Sequence, residues 1–263
     1  MTSPLRALAA TAALLAVGLA VTACTSDSEK RTAVSFTADG RLSGDALKQA
    51  AEQLRHRAEL LGLKDPRVST DDGTLSLSAA GPLDSRIEAL THQVALEFRP
   101  VLGTAESFTV PPRLRPQLDA LDCTAAAHPA DPTAETVACS TATAQEPATK
   151  LALGPVAVKG AHIAGSTADL DGAGNQWQVT LTFTDAGATA FTALTTDLVT
   201  KPDPADQLAI VIDGAVVSHP RVTNPITGNQ IVITGGFTHD QAQTLAAQLS
   251  TAALPEGLRP TGR

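Results

Sequence analysis

The residues of this chain best suited to chemistry are three cysteines (Cys24, Cys123, Cys139) and six histidines (His56, His92, His128, His162, His219, His239). No histidine stands in a His-x-x-x-His or Cys/His ligand spacing, so no zinc-type site is expected. His56 falls on the polar side of a predicted helix beside Arg55 and Arg57 and reads as solvated. No Gly-x-Ser-x-Gly elbow and no Walker loop occurs. Gly172-Ala173-Gly174 has the composition of a phosphate cradle, but no helix or basic residue follows, so it reads as a hairpin. Asp169 and Asp171 lack the glutamate at the twelfth loop position that a calcium loop needs. Asp203 and Asp206, beside Pro202 and Pro204, read as loop solvation. The expectation is a non-enzyme with no catalytic residue, no metal and no cofactor.

Cys24 suggests a different chemistry. Residues 1–23 predict an export signal: Arg6 is followed by an almost unbroken run of Ala, Leu, Val and Gly over residues 7–20. Val21-Thr22-Ala23 then leads into Cys24. This resembles the bacterial lipobox, whose cysteine is lipidated and becomes the first mature residue. An ordinary signal peptide or a short membrane anchor is the alternative, although the run is short for a span. No later segment reaches the roughly 18 apolar residues that a span needs. Residues 24–32 then form a tether, and the expected location is the extracytoplasmic face of the cell membrane. An exported chain sits in an oxidising compartment, where an even remainder of cysteines favours pairing. Cys123 and Cys139 therefore read as one structural disulfide. Closing a loop of about 15 residues is worth roughly 3 kcal/mol. Free thiols and a redox or metal role are the alternatives, the redox one disfavoured by a spacing far from Cys-x-x-Cys.

Composition narrows the partners. At 43% hydrophobic and 17% charged, the 263 residues are neither disordered nor polytopic. Six Phe, one Trp and no Tyr leave a core of Ala, Val, Leu and Ile as the expectation, with no row of stacking platforms. A net charge of -8 argues against nucleic acid as a partner.

The elements that must carry these residues fall into two blocks. Residues 33–38 predict a strand. Ser43 can cap a helix with Leu47, Ala50, Ala51, Leu54, Ala58 and Leu61 at helical spacing and Gly62 at its end. Residues 67–70 and 74–79 alternate around Asp71-Asp72-Gly73 and read as a hairpin. Asp84 can cap a helix with Ile87 and Leu90, and Val94–Arg99 reads as a closing strand. The order is β-α-β-β-α-β, so residues 33–102 predict a ferredoxin-like base. Residues 103–150, rich in Pro, Ala and Thr, read as an excursion without periodic pattern. The block 151–255 predicts an α+β head: strands at 155–164 and 176–184, and a helix after Asp185 using Ala188, Phe191, Leu194 and Leu198. A strand at 208–212 turns at Asp213-Gly214 into 215–217. A strand at 231–233 precedes a helix opened by the Thr238/Gln241 capping box, with Ala242, Leu245 and Leu249 apolar and Pro255 as a stop. Residues 256–263 are a tail. The fold class expected is α+β, a base plus a head with antiparallel strands.

Several stretches carry a family resemblance. Gln93–Leu102 (QVALEFRPVL) resembles the strand ending the base of the first extracytoplasmic domain of SecD, a membrane component of the bacterial Sec machinery. Leu153–Gly160 resembles the segment opening the head of that domain. Phe183, Gly187 and Phe191 resemble its Phe-x-x-x-Gly-x-x-x-Phe stretch. Ile210–Pro220, with Asp213-Gly214 and Ser218-x-Pro220, resembles its central hairpin. Ile226-Thr227-Gly228, Ile233–Thr238, Leu245–Pro255 and the helix Ala50–Gly62 follow suit. The cysteine pair resembles one found in actinobacterial members. The resemblance spans about residues 34–255. It implies a base plus head contacting polypeptide outside the membrane. The family's proton-conducting residues lie in membrane helices, so no proton channel is expected of these segments.

Two functions are compatible with this reading. One is a lipid-anchored binding module, held to the membrane through Cys24, that assists translocation or handles exported polypeptides, with Sec components or unfolded clients as partners. It would grip substrate by sheet-edge pairing or apolar contacts in the head; no substrate-binding residue is legible. The other is a lipoprotein that binds a small ligand or envelope polymer on a reused fold.

Overall fold

A computed structural model describes residues 30–40, 42–71, 73–83, 86–142, 147–250, 254 and 257–261. The expected signal, Cys24 and the cap Asp84 lie outside these residues. The base begins with β1 (Arg31–Thr37), α1 (Gly44–Leu60), β2 (Lys64–Asp71), β3 (Thr74–Ala80) and α2 (Arg86–Thr91). Ser43 caps α1 as expected, its Oγ accepting from the Ala46 amide. Phe36, Leu54, Ala58, Leu75 and Leu77 then form a buried core against the sheet.

The chain next runs through β4 (Leu96–Thr104), α3 (Arg115–Ala120), β5 (Thr136–Cys139), β6 (Lys150–Leu153), β7 (Val158–Lys159), β8 (Ile163–Leu170) and β9 (Trp177–Phe183). It continues through α4 (Asp185–Leu198), β10 (Leu208–Ile212), β11 (Ala215–Ser218), β12 (Gln230–Phe237), α5 (His239–Leu249) and β13 (Arg259–Thr261).

The closing strand of the base is not where the local pattern put it. β4 joins a different sheet, pairing with β10, β6 and β7. The reason is burial on both faces. Leu96 and Phe98 enter the head core, while Val101 enters a second cluster on the opposite face. A sheet covered on one side only cannot use such a strand. The vacant place beside β1 is taken by β13, antiparallel, with Ser35 opposite Thr261 and Thr37 opposite Arg259. The order β13-β1-β3-β2 is that of a ferredoxin-like sheet. The base is thus discontinuous, and the head is inserted between its second helix and its last strand.

Residues 103–150 are more than an excursion. They supply α3 and β5, and Val110, Leu114 and Leu118 bury with Ala152. β5 extends the sheet β11-β10-β4-β6-β5. That sheet curls until Ser140, just past β5, bridges to Val216 of β11, and the Thr141 amide donates to the Val216 carbonyl. Val101, Ala138, Leu151, Leu153, Ala209, Val211 and Val216 fill the interior of this small closed sheet. The disulfide Cys123–Cys139 ties the end of α3 to β5.

The predicted strand at 155–164 breaks into the short β7 and a 3-10 turn at Gly160–His162, after which β8 runs on to Leu170. β8 pairs along its length with β9, and β9 with β12, in a three-stranded sheet. Thr184, one residue before the predicted cap, opens α4 by accepting from the Gly187 amide. The capping box at Thr238 and Gln241 forms as expected.

The core is not purely aliphatic. Phe98, Phe183 and Phe191 pack together with ring centroids 4.9–5.7 Å apart, and all are at most 3% exposed. Half of the scarce phenylalanines are therefore used in one place. Helix α5 serves both units: Ala242, Leu245, Ala246 and Leu249 face the head core, while Ala247 lies in the base core.

Candidate functional site

Among the described residues, no three His, Cys, Asp or Glu side chains gather into a set that could hold a metal. The histidines are scattered, and the sites of interest are surfaces. The first is a polar cleft of about 500 Å³ between the closed sheet and the three-stranded sheet. One wall is β11. Its inner edge pairs with β10, and among the described residues its outer edge meets Ser140 and Thr141 only at Val216. Val217 and Ser218 line the cleft beyond that point.

The opposite wall is Thr234, Gly235 and Gly236. The β12–β9 register passes from Thr234 opposite Gln178 to Phe237 opposite Trp177, leaving both glycines outside the ladder. Gly236 has φ +66°, and a Cβ on Gly235 would lie 2.9 Å from the Phe237 ring. The left-handed φ favours glycine at 236, and the Phe237 ring crowds any side chain at 235. A Gly-Gly pair inside a strand pattern is the sequence signal that could have located it.

The floor is set by side chains from the 203–221 segment. His219 Nδ1 lies 3.0 Å from Gln207 Oε1. Arg221 ion-pairs with Asp206, and its second contact, to Asp203, is 3.5 Å. Asp206 is buried, which corrects its reading as a solvated loop residue. The hydrogen bond from Arg221, fifteen positions downstream, makes burial of its charge tolerable. The same bond, ahead of the Coulombic attraction, raises the pKa of Arg221. This cleft offers hydroxyl, amide and backbone groups to an extended chain.

The second surface is apolar. Leu170, Trp177 and Phe237 stand in one row across the end of the three-stranded sheet. Leu170 is 46% exposed, and Trp177 packs on His239 with centroids 4.5 Å apart. A groove of about 370 Å³ runs from Phe237 along Leu245 of α5.

The remaining predicted residues are structural. Gly172–Gly174 is a tight β8–β9 turn, closed by the Asp171 carboxylate accepting from the Asn175 amide at 2.7 Å. His56 is half exposed, as expected. Its neighbour Arg57 is not on the polar face: it is 1% exposed. Its guanidinium donates to the carbonyls of Leu90, His92 and Gln248, joining α1 to the ends of α2 and α5. Burial pushes its pKa down to about 10, so it remains charged at neutral pH. A second buried arginine, Arg99, donates to the carbonyls of Asp131, Ala134 and Gly154 and to Glu97. Neither was legible, because an arginine within a helix or strand pattern reads as surface.

The comparisons agree with this geometry. Residues 136–256 match the family described as SecDF, P1 head subdomain. Protein translocase subunit SecD of Streptomyces coelicolor is 39% identical over 152 residues, 54% of this chain and 26% of that protein. SecD of Acetobacter pasteurianus is 29% identical over 228 residues, 82% of this chain and 39% of that protein. The chain thus spans well under half of either relative. A solved SecDF structure, described as a membrane component that enhances protein export, superposes with a TM-score of 0.55 at 25% identity. That superposition covers 88% of this chain and 99% of the other. Base and head together, the chain is similar to the first extracytoplasmic (P1) domain of the SecD proteins.

Proposed function

We propose that this chain is a binding module of protein export: a lipid-anchored, extracytoplasmic P1 domain that assists translocation or handles polypeptides emerging from the membrane. The supporting observation is the superposition over nearly the whole of a solved SecDF structure described as that of a membrane component that enhances protein export. The head surfaces suit the task. The outer edge of β11 and the Gly235–Gly236 bulge present backbone to the cleft for pairing with an extended segment, and the row at Leu170 and Phe237 offers apolar contact. Anchoring goes through Cys24, the partners are Sec components or unfolded clients, and nucleic acid is not among them. Among the described residues, no helix is long and apolar enough to cross a membrane.

The test is site-specific photo-crosslinking from Gln176 and Ser218 to a translocating preprotein. Crosslinks that depend on translocation are expected. Their absence, beside a positive SecD control, overturns the reading. Saturable thermal stabilisation by a small molecule, with none by unfolded polypeptide, would instead favour a ligand-binding lipoprotein. Cys24→Ala should release the protein from the membrane fraction.

A further inference from the structure

Two segments, 92–95 and 250–258, connect base and head. The first is gripped by the β10–β11 turn. The Ala95 amide donates to Asp213 Oδ1 at 2.8 Å, and the Asp213 amide donates to the Ala95 carbonyl at 3.0 Å. His92 Nε2 lies 3.1 Å from Asp213 Oδ2. The turn itself has φ +49° at Asp213 and +87° at Gly214.

The turn rests on the loop that the disulfide closes. A Cβ on Gly214 would lie 2.1 Å from the His128 carbonyl oxygen and 2.9 Å from the His128 nitrogen. The loop backbone therefore lies against Gly214 with space for hydrogen alone. Among the described residues, 126–130 make no hydrogen bond that would hold them there. Their position depends on Cys123–Cys139 upstream and on Arg99, bonded to Asp131 and Ala134, downstream. Cys123 and Cys139 are both partly exposed, within reach of a thiol reagent.

We propose that Cys123–Cys139 is a redox-sensitive lock on the base–head junction. In the oxidised protein, the closed loop backs the Asp213–Gly214 turn, and the turn holds Ala95. A dithiol donor opens the lock by thiol–disulfide exchange. Two electrons and two protons pass to the cysteine sulfurs, and the donor leaves as a disulfide. Residues 124–130 then lose their upstream tether, the turn loses its backing, and the 92–95 segment is released. This inference is independent of the export reading, because it concerns only how the two units are held.

Amide hydrogen exchange on the full chain, oxidised against dithiothreitol-reduced, tests it. Reduction should speed exchange at Ala95 and Asp213 roughly tenfold or more beyond any change in the α1 core amides. Faster exchange confined to 124–135, with Ala95 unmoved, overturns the proposal by making the disulfide a local staple. A uniform rise including α1 overturns it by making the bond a global cross-link only. Cys123→Ser with Cys139→Ser should reproduce the reduced pattern without reductant. Asp213→Gly, which keeps the positive φ but removes the carboxylate, should give fast Ala95 exchange in both redox states.

Discussion

The base and the head both pack helices against an antiparallel sheet, but they complete their sheets over different distances. The head sheet β8–β9–β12 lies within residues 163–237. The base has three strands by Ala80 and waits for β13 at Arg259–Thr261. The base is therefore finished by chain that has already built the head, and α5 contributes to both cores. An inserted domain that shares a helix with its host cannot unfold without exposing the host.

The largest test of this coupling is paired core truncation. Phe191→Ala in the head and Leu54→Ala in the base should each cost about 3–5 kcal/mol. Both should lower one common calorimetric transition, and two separable transitions would break the comparison. Replacing both Cys123 and Cys139 by Ser should cost roughly 3 kcal/mol, read by urea denaturation of oxidised protein. Ending the chain after residue 256 removes β13 and the buried Leu258, and should cost about 2–3 kcal/mol. The loss should be visible in α1 exchange although the cut is 200 residues away in sequence terms (roughly). Thr238→Ala removes the cap of the shared helix and should cost about 1 kcal/mol, with faster exchange in both units.

The smallest effect is pH. Asp65 is held below the usual carboxylate range by hydrogen bonds from Arg67 and Arg31. Asp122 is held low by the Thr124 amide and hydroxyl, and Asp131 by those of Thr133. A carboxylate whose pKa is lower folded than unfolded stabilises the fold above its unfolded value and loses that contribution as pH falls through the folded one. Melting temperature should therefore decline below about pH 4. Asp122→Asn and Asp131→Asn should flatten the decline, because both sites lie in the loop segment and not in either core.

Legibility followed locality. Ser43 with its apolar 47-50-54-58 spacing, the Asp213-Gly214 hairpin and the Thr238/Gln241 box each place all their determinants within a few residues, and the structure has each one. β8 was missed because Ile163–Leu170 is mostly small or polar and is stabilised by register with β9. β4 was recognised as a strand but assigned to the wrong sheet. Its pattern of burial on two faces says that it is central, not which neighbours surround it. The cleft was not legible at all, since its walls come from 140–141, 147, 176, 207, 217–221 and 234–236.

By itself, the sequence determined the element types, most caps and turns, the pairing partners available to the two later cysteines, and the α+β class. Those follow from periodicity, backbone preference and redox compartment, which act over short distances or on the whole chain. Tertiary structure decided which sheet received β4 and β13, and that Arg57, Arg99 and Asp206 would be buried. It also decided that His128 would lie on Gly214. Each of these depends on satisfying a charge, a carbonyl or an open strand edge with a group far along the chain, and spacing in the sequence does not encode that distance.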